Sequence, residues 1–170
     1  GPLMHVIAAK AVAFGEALQP EFKDYANQIV SNAKALAKAM KDNGFILQGG
    51  GTENHLILAN VKDSFGIDGK FFERALDMVG LTLNANAVPG DKGGAFRPSG
   101  VRLGTPAITT RGMKENEMEQ IADWMKQVMK ICQKAKTEEA LEEPEFKSEL
   151  DKIHQEVITL SKQFKVPGLN

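Results

Sequence analysis

The sequence predicts an α/β fold of the α+β kind, in which helices cover a small antiparallel or mixed sheet. Three observations support this prediction. Both ends of the 170-residue chain show helical periodicity, the middle carries short apolar runs bounded by glycine, and the composition is 42% hydrophobic and 25% charged. A chain of this length and composition can bury a core of its own.

The first segment, residues 3–18, is apolar on nearly every face, which for a helix indicates burial all round. A terminal helix of a lone domain rarely achieves such burial, so we expect residues 1–18 to form a helix at an interface between domains. Pro20 then marks a break, and a second helix follows with one apolar stripe. It is expected to end near Asn43, where Gly44 provides a C-cap signal.

The middle of the chain alternates between strand and helix signals, and we expect a small α/β domain over residues 19–136. Glycines at 49–51 and the glycine- and proline-rich stretch 84–100 indicate loops. The predicted elements between residues 45 and 103 are strands at 45–48, 56–61, 81–83 and 101–103, with a helix at 70–79.

The C-terminal part predicts two further helices. The first, over residues 114–136, is amphipathic and carries Cys132 on its apolar stripe, so this cysteine is interpreted as an inert buried thiol. Residues 137–170 are expected to form an acidic linker and a last helix at 146–164, which packs on the domain or on a partner.

Charge and cysteine content exclude several function classes. The formal net charge is −1, so no bulk basic field exists to attract nucleic acid or an anionic membrane. Cys132 is the only cysteine, which excludes an internal disulfide and multi-cysteine metal sites. The longest apolar run, 6–14, is too short to span a bilayer. We expect no metal, a cytoplasmic location with an organelle left open, and no membrane partner.

The arginines are the most informative polar residues. There are four, and three of them, Arg97, Arg102 and Arg111, fall in the glycine- and proline-rich region and the segment after it. The planar guanidinium suits a carboxylate or phosphate. Strand alternation points Arg102 away from its neighbours Val101 and Leu103, towards a cleft if those two enter the core. Spacing alone leaves open a structural ion pair and a substrate clamp.

Four segments together resemble serine hydroxymethyltransferase, and they occur in that family's order. They are GPLMHVIAAKAVA at 1–13, GGTENHL at 50–56, NANAVPGD at 84–91 and RPSGVRLGTPA at 97–107. The resemblance covers essentially the whole chain and identifies it as similar to the C-terminal portion of that enzyme. It implies the C-terminal domain of a fold-type I pyridoxal-phosphate-dependent transferase.

The resemblance also implies a reaction. Members of the family are dimers or tetramers that transfer the hydroxymethyl carbon of serine to tetrahydrofolate and release glycine. Their Schiff-base lysine lies upstream in a Thr-Thr-Thr-His-Lys motif, and this chain has no His-Lys pair. We therefore expect no catalytic residue in this chain, no activity of the chain alone, and pyridoxal 5'-phosphate bound by the upstream part.

Individual site residues follow from the resemblance. Arg102 takes the place of the arginine that binds the substrate carboxylate, and Asn86 that of an asparagine near the folate pteridine ring. Gly1 takes a position that contacts the cofactor phosphate across the dimer interface, unless Gly1 and Pro2 are a tag remnant. The folate-contacting stretch corresponds to Gly94, Ala95 and Phe96.

Two departures from the family pattern affect the folate side. Ala85 stands where many members carry lysine, and Gly94-Ala95 replaces a Ser-Pro pair.

Two alternatives to the enzyme portion remain: a free-standing α/β ligand-binding or regulatory module, and a purely structural assembly domain. A start codon at Met4 would favour the module. Because the helix at 3–18 would be stripped of its partners, we expect the chain to self-associate.

Overall fold

The computed structural model describes residues 1–94 and 96–168. Within these residues the chain forms seven helices, four strands and two 3-10 turns. The helices are α1 (Met4–Ala17), α2 (Pro20–Asp42), α3 (Val61–Phe65), α4 (Gly69–Met78), α5 (Pro106–Thr110), α6 (Glu115–Ala135) and α7 (Pro144–Ser161). The strands are β1 (Ile46–Leu47), β2 (Leu56–Asn60), β3 (Asn84–Asn86) and β4 (Gly100–Gly104). The 3-10 turns are Gln48–Gly50 and Glu139–Glu142.

The four described strands form one sheet in the order β1-β2-β4-β3, and every pairing is antiparallel. The predicted fold class is therefore confirmed. Helices α2 and α4 pack on one face of the sheet, where Ala59 and Val101 are fully buried, and α6 packs against both of these helices. The largest fully buried side chains of this core include Leu36, Met40, Ile57, Phe72, Leu76, Met118, Met125 and Met129.

The strand predicted at 81–83 is wrong, because the strand lies at Asn84–Asn86, inside the predicted loop 84–100. The residues just after α4 serve to end that helix instead. Gly80 adopts a left-handed φ of 81°, and the Leu81 N–H donates to the Leu76 carbonyl at 2.9 Å. The backbone reaches the edge of the sheet only after this turn, although the Leu83 side chain is buried.

Two short helices, α3 and α5, lie outside the predicted helices, and α3 begins at Val61, the last residue of the strand predicted at 56–61. Asn60 caps α3, because its side-chain oxygen accepts the Asp63 N–H at 3.0 Å. Pro106 occupies the first turn of α5, where its fixed φ favours a helix. Five residues are too few to show helical periodicity, which explains why the pattern did not predict them.

The last helix, α7, packs on the rest of the domain. Leu150, Ile153 and Val157 are buried. Arg111 fixes the end of α7: its Nη2 donates to the Ser161 carbonyl at 2.6 Å, and its Nε donates to the Phe164 carbonyl at 3.1 Å. This contact satisfies carbonyl groups that the end of a helix otherwise leaves unpaired.

Helix α1 has no buried residue, and its main contact within the described residues is with α2. Its apolar side chains face solvent in the isolated chain; Phe14 is 67% exposed and Val12 63% exposed. An apolar surface of this kind favours association with another molecule.

We expect the 170-residue chain to self-associate through α1. Sedimentation velocity should show a species larger than a monomer that grows with concentration, and Phe14→Glu should shift it towards monomer because a charge would enter the contact. Gln155→Glu, which adds the same charge at an exposed position of α7, is the matched control. Only monomer at high concentration would contradict the prediction.

Cys132 lies on the buried face of α6 with 0% exposure, and burial raises the pKa of its thiol to about 12. Its interpretation as a buried thiol is confirmed. We expect no reaction of the folded chain with an aromatic disulfide reagent at pH 8, because the reactive thiolate is scarce and shielded. Absorbance should report one thiol per chain after unfolding in urea, whereas rapid labelling without urea would contradict this.

Candidate functional site

Arg102 lies in the middle of β4 and points away from the helices. Its neighbour Val101 is fully buried, whereas Arg102 itself is exposed. In the antiparallel register Arg102 is opposite Leu58 on β2 and Asn84 on β3. Directly opposed residues share a face, so these three side chains lie on the face that the helices leave open. The predicted orientation of Arg102 is confirmed.

The other three arginines have partners within the chain. Arg74 pairs with Glu142 at 3.5 Å, Arg97 pairs with Asp68 at 3.0 Å, and Arg111 binds the carbonyls at the end of α7. Arg102 makes no hydrogen bond or ion pair with the residues that the structure describes. Of the two alternatives, the structural ion pair is therefore not seen, and the guanidinium can accept an external anion.

Asn86 shares the open face with Arg102. It lies two residues beyond Asn84, which is opposite Arg102, so strand alternation returns its side chain to the same side. Such diagonal neighbours across antiparallel strands are about 7–8 Å apart. The Asn86 amide Nδ2 donates to the Ala87 carbonyl at 2.7 Å. The structure thus brings two predicted site residues together.

The remaining folate candidates lie in the loop between β3 and β4. Phe96 is 94% exposed, and Gly94 has a left-handed φ of 71° with open space around it. Ala95 lies outside the described residues. Gly1 precedes α1, also in open space, and no described hydrogen bond joins it to the other candidates.

Asp91 organises this loop, a role that the sequence reasoning missed. Its Oδ1 accepts the Gly93 N–H and the Ser99 hydroxyl, both at 2.7 Å. Its Oδ2 accepts the Ser99 N–H at 2.7 Å and the Val88 N–H at 3.2 Å. The Pro-Gly-Asp turn was the available signal, since aspartate in turns often binds nearby backbone N–H groups.

These hydrogen bonds, the Ser99 N–H first among them, hold the pKa of Asp91 well below its ordinary value of about 3.9. A lowered pKa means that the folded chain favours the carboxylate. Its contribution to stability is therefore fully present above the ordinary pKa and is lost as the pH falls through the lower pKa of the folded state.

Glu73 on α4 supports the strand that carries Asn86. Its carboxylate accepts the Ala85 N–H at 3.0 Å, so it satisfies an edge-strand donor. Burial alone would raise the pKa of Glu73, but the hydrogen bonds from Lys70 and Ala85 outweigh burial and lower the pKa. Ala85 itself is opposite the buried Val101 and therefore faces the helices.

The resemblance implies pyridoxal phosphate, and its Schiff base requires a lysine close to the substrate site. Burial lowers the pKa of Lys126 on α6, and its Nζ lies 4.3 Å from the centroid of the Phe65 ring. Helix α6 packs against α2 and α4, on the side of the sheet opposite to Arg102. Lys126 therefore does not lie beside Arg102.

Residues 1–94 and 96–168 contain no group of three or more His, Cys, Asp or Glu side chains that could hold a metal ion. None of the helices in these parts combines the length and apolar character needed to cross a membrane. A cavity of about 160 Å³ lies on the helix side, lined by Leu83, Trp124 and Val157 among others, and none of the predicted site residues lines it.

Comparison with known proteins points to one family. A model of the family described as serine hydroxymethyltransferase matches residues 1–125. A protein of Acidobacterium capsulatum with that name is 49% identical over 168 residues, which cover 99% of this chain and 36% of the relative. Proteins of that name from Coxiella burnetii strains Dugway 5J108-111 and RSA 331 are 57% identical over 125 residues, covering 74% of this chain and 30% of each relative. The chain thus spans about a third of the length of these curated relatives.

Proposed function

The chain belongs to the serine hydroxymethyltransferase family and corresponds to a C-terminal portion, and from this premise we propose its role. It supplies the amino-acid carboxylate site and part of the folate site of an enzyme that converts serine and tetrahydrofolate to glycine and 5,10-methylenetetrahydrofolate. The parent protein is a transferase; the specific reaction and the roles of individual residues are our proposals.

The observation that carries this proposal is the unpartnered Arg102 on the open face of the sheet. A guanidinium binds a carboxylate through two parallel N–H···O bonds, which fix orientation as well as position. Each charge-assisted hydrogen bond contributes about 1.5–3 kcal/mol. Because β4 is the central partner of β2 and β3, its backbone holds Arg102 in a fixed place.

The folate side lies next to this carboxylate site. Asn86 is the diagonal neighbour of Arg102, and its amide can exchange hydrogen bonds with a pteridine edge. Phe96 presents an exposed ring, and such a ring can stack on a flat heterocycle. Gly94 and Ala95 complete the proposed folate stretch.

The family is generally dependent on pyridoxal phosphate, which supplies an electron sink for chemistry at the amino-acid carbon. The Schiff-base lysine and the groups that bind the ring belong, in this proposal, to the upstream part of the parent. Gly1 contributes a backbone contact to the cofactor phosphate across the interface of a homo-oligomer. This chain alone is therefore inactive. We place the parent in the cytoplasm, with no nucleic acid or membrane as partner.

A chimera tests the proposal. We would join this chain to the upstream part of the Acidobacterium capsulatum relative, about two thirds of its length, and use the intact relative as the control. With pyridoxal phosphate, the chimera should form glycine from serine only when tetrahydrofolate is present. The 170-residue chain should show neither turnover nor a saturable visible band.

Two results would overturn the proposal. The first is a folded chimera that binds the cofactor but does not transfer the hydroxymethyl carbon. The second is serine turnover by the 170-residue chain on its own.

A further inference from the structure

We propose that Asp91 is a positioning residue that fixes the β3–β4 loop, so that the folate candidates keep a set distance from Arg102. This inference rests on the proposed function. It concerns how the second substrate site is held in place, and Asp91 itself touches no substrate in it.

The geometry of the Asp91 carboxylate supports this role, because each of its two oxygens accepts two hydrogen bonds. Val88, two residues after Asn86, binds Oδ2, and so does the backbone of Ser99, three residues before Arg102. Gly93 N–H and the Ser99 hydroxyl bind Oδ1. One side chain therefore connects the strand end that carries Asn86 to the strand that carries Arg102.

The Ser99 end of this connection is anchored to the body of the domain. The Ser99 carbonyl accepts the Lys62 N–H at 3.0 Å, and the carbonyl of the preceding Pro98 accepts the Gly69 N–H at 2.7 Å. Ser99 is also buried, with 7% exposure. Asp91 thus connects Val88 at the beginning of the loop and Gly93 in its middle to Ser99, the anchored end.

Close packing reinforces the same arrangement. A Cβ added at Gly100 would lie 2.6 Å from Val88 Cγ1 and 2.7 Å from the Ala59 carbonyl oxygen. The loop therefore approaches the sheet closely at the point where Asp91 binds the Val88 N–H. A loop that opened would lose this contact together with the hydrogen bond.

Only a carboxylate satisfies this set of donors. Three of the four partners are backbone N–H groups, which can only donate, so an asparagine, whose NH₂ group replaces one acceptor oxygen, leaves at least one of them without an acceptor. Asp91→Asn should therefore release part of the loop and leave Arg102 in the sheet unchanged. In the chimera this predicts a higher KM for tetrahydrofolate, with the KM for serine and kcat little changed.

Amide hydrogen exchange on the 170-residue chain tests the positioning directly. In Asp91→Asn, the N–H groups that face the new NH₂ group, either that of Gly93 or those of Val88 and Ser99, should exchange about tenfold faster, the equivalent of one to two lost hydrogen bonds. Lys92→Ala, a substitution of an exposed neighbour, should leave these exchange rates unchanged.

If Asp91→Asn does not fold, Ser99→Ala serves as a second variant. It removes only the hydrogen bond from the Ser99 hydroxyl and should raise the exchange rates of the same amides about fivefold. Unchanged exchange in both variants would overturn the inference.

Kinetics of the chimera separate this inference from the proposed function. The expected result for Asp91→Asn is a KM for tetrahydrofolate raised about tenfold, with the KM for serine within about twofold of the parent value. An active chimera with an unchanged tetrahydrofolate KM in Asp91→Asn would overturn the positioning role and leave the function standing. Equal rises in both KM values would also overturn it. An inactive unsubstituted chimera would overturn the proposed function, and amide exchange would still decide whether Asp91 holds the loop.

Discussion

Arg102→Ala in the chimera is expected to lower kcat/KM for serine roughly 30- to 5,000-fold, which corresponds to about 2–5 kcal/mol. This range is typical when one partner of a buried, hydrogen-bonded charge pair is removed. Bound substrate would exclude water from Arg102, which the isolated chain leaves exposed. The loss arises because the serine carboxylate would then lack its two parallel hydrogen bonds.

Two control variants separate the loss of the planar contact at Arg102 from the loss of charge and from the loss of an arginine elsewhere. Arg102→Lys keeps the positive charge but loses the planar fork, so its kcat/KM should lie between those of the parent and the alanine variant. Arg74→Ala removes a guanidinium of the same size from a half-exposed pair with Glu142 and should leave the kinetics unchanged. Near-normal serine kinetics in Arg102→Ala would refute the carboxylate clamp.

Phe72→Ala is expected to lower the free energy of unfolding by about 3–5 kcal/mol, the largest stability effect we predict. Phe72 has 0% exposure, and its ring centroid lies 6.0 Å from that of Phe45. Removal of the ring would leave a cavity between α4 and the rest of the core. Urea unfolding followed by Trp124 fluorescence measures the change.

Phe96→Ala is the matched control for stability, because it removes the same ring from a position that is 94% exposed. Its unfolding midpoint should stay close to that of the parent chain. A loss below about 1 kcal/mol in Phe72→Ala would contradict the described core.

Periodicity predicted the long helices and the central strands because many residues contribute to each pattern. The helices near 20–43 and 114–136 and the strands β2 and β4 agree with the structure to within a few residues. The strand at 81–83 was placed too early, because Leu81 and Leu83 are apolar for burial beside α4 rather than for pairing in the sheet. Three-residue β3 carries two asparagines and therefore had no apolar signal of its own.

At the site, too, the sequence pattern predicted a local feature, whereas contacts between distant segments could not be predicted. Alternation within β4 was enough to orient Arg102. Spacing alone could not show that Arg97 and Arg111 have partners within the chain, because those partners come from distant segments. Glu73 was missed because its partner, the Ala85 N–H, carries no residue-specific signal, and Asp91 was missed because its Pro-Gly-Asp turn indicated only a loop. The roles assigned to Asn86, Gly1 and the folate loop stay predictions, as do the domain boundaries at 1–18, 19–136 and 137–170.

The central claim is that Arg102 binds the carboxylate of the amino-acid substrate. The most direct measurement compares kcat/KM for serine and for serinamide, which lacks the negative charge, in the chimera and in its Arg102→Ala variant. We expect a strong preference for serine in the chimera and a much weaker preference in the variant, because Arg102 binds a carboxylate but not an amide in this way. An equal preference in both proteins would contradict it.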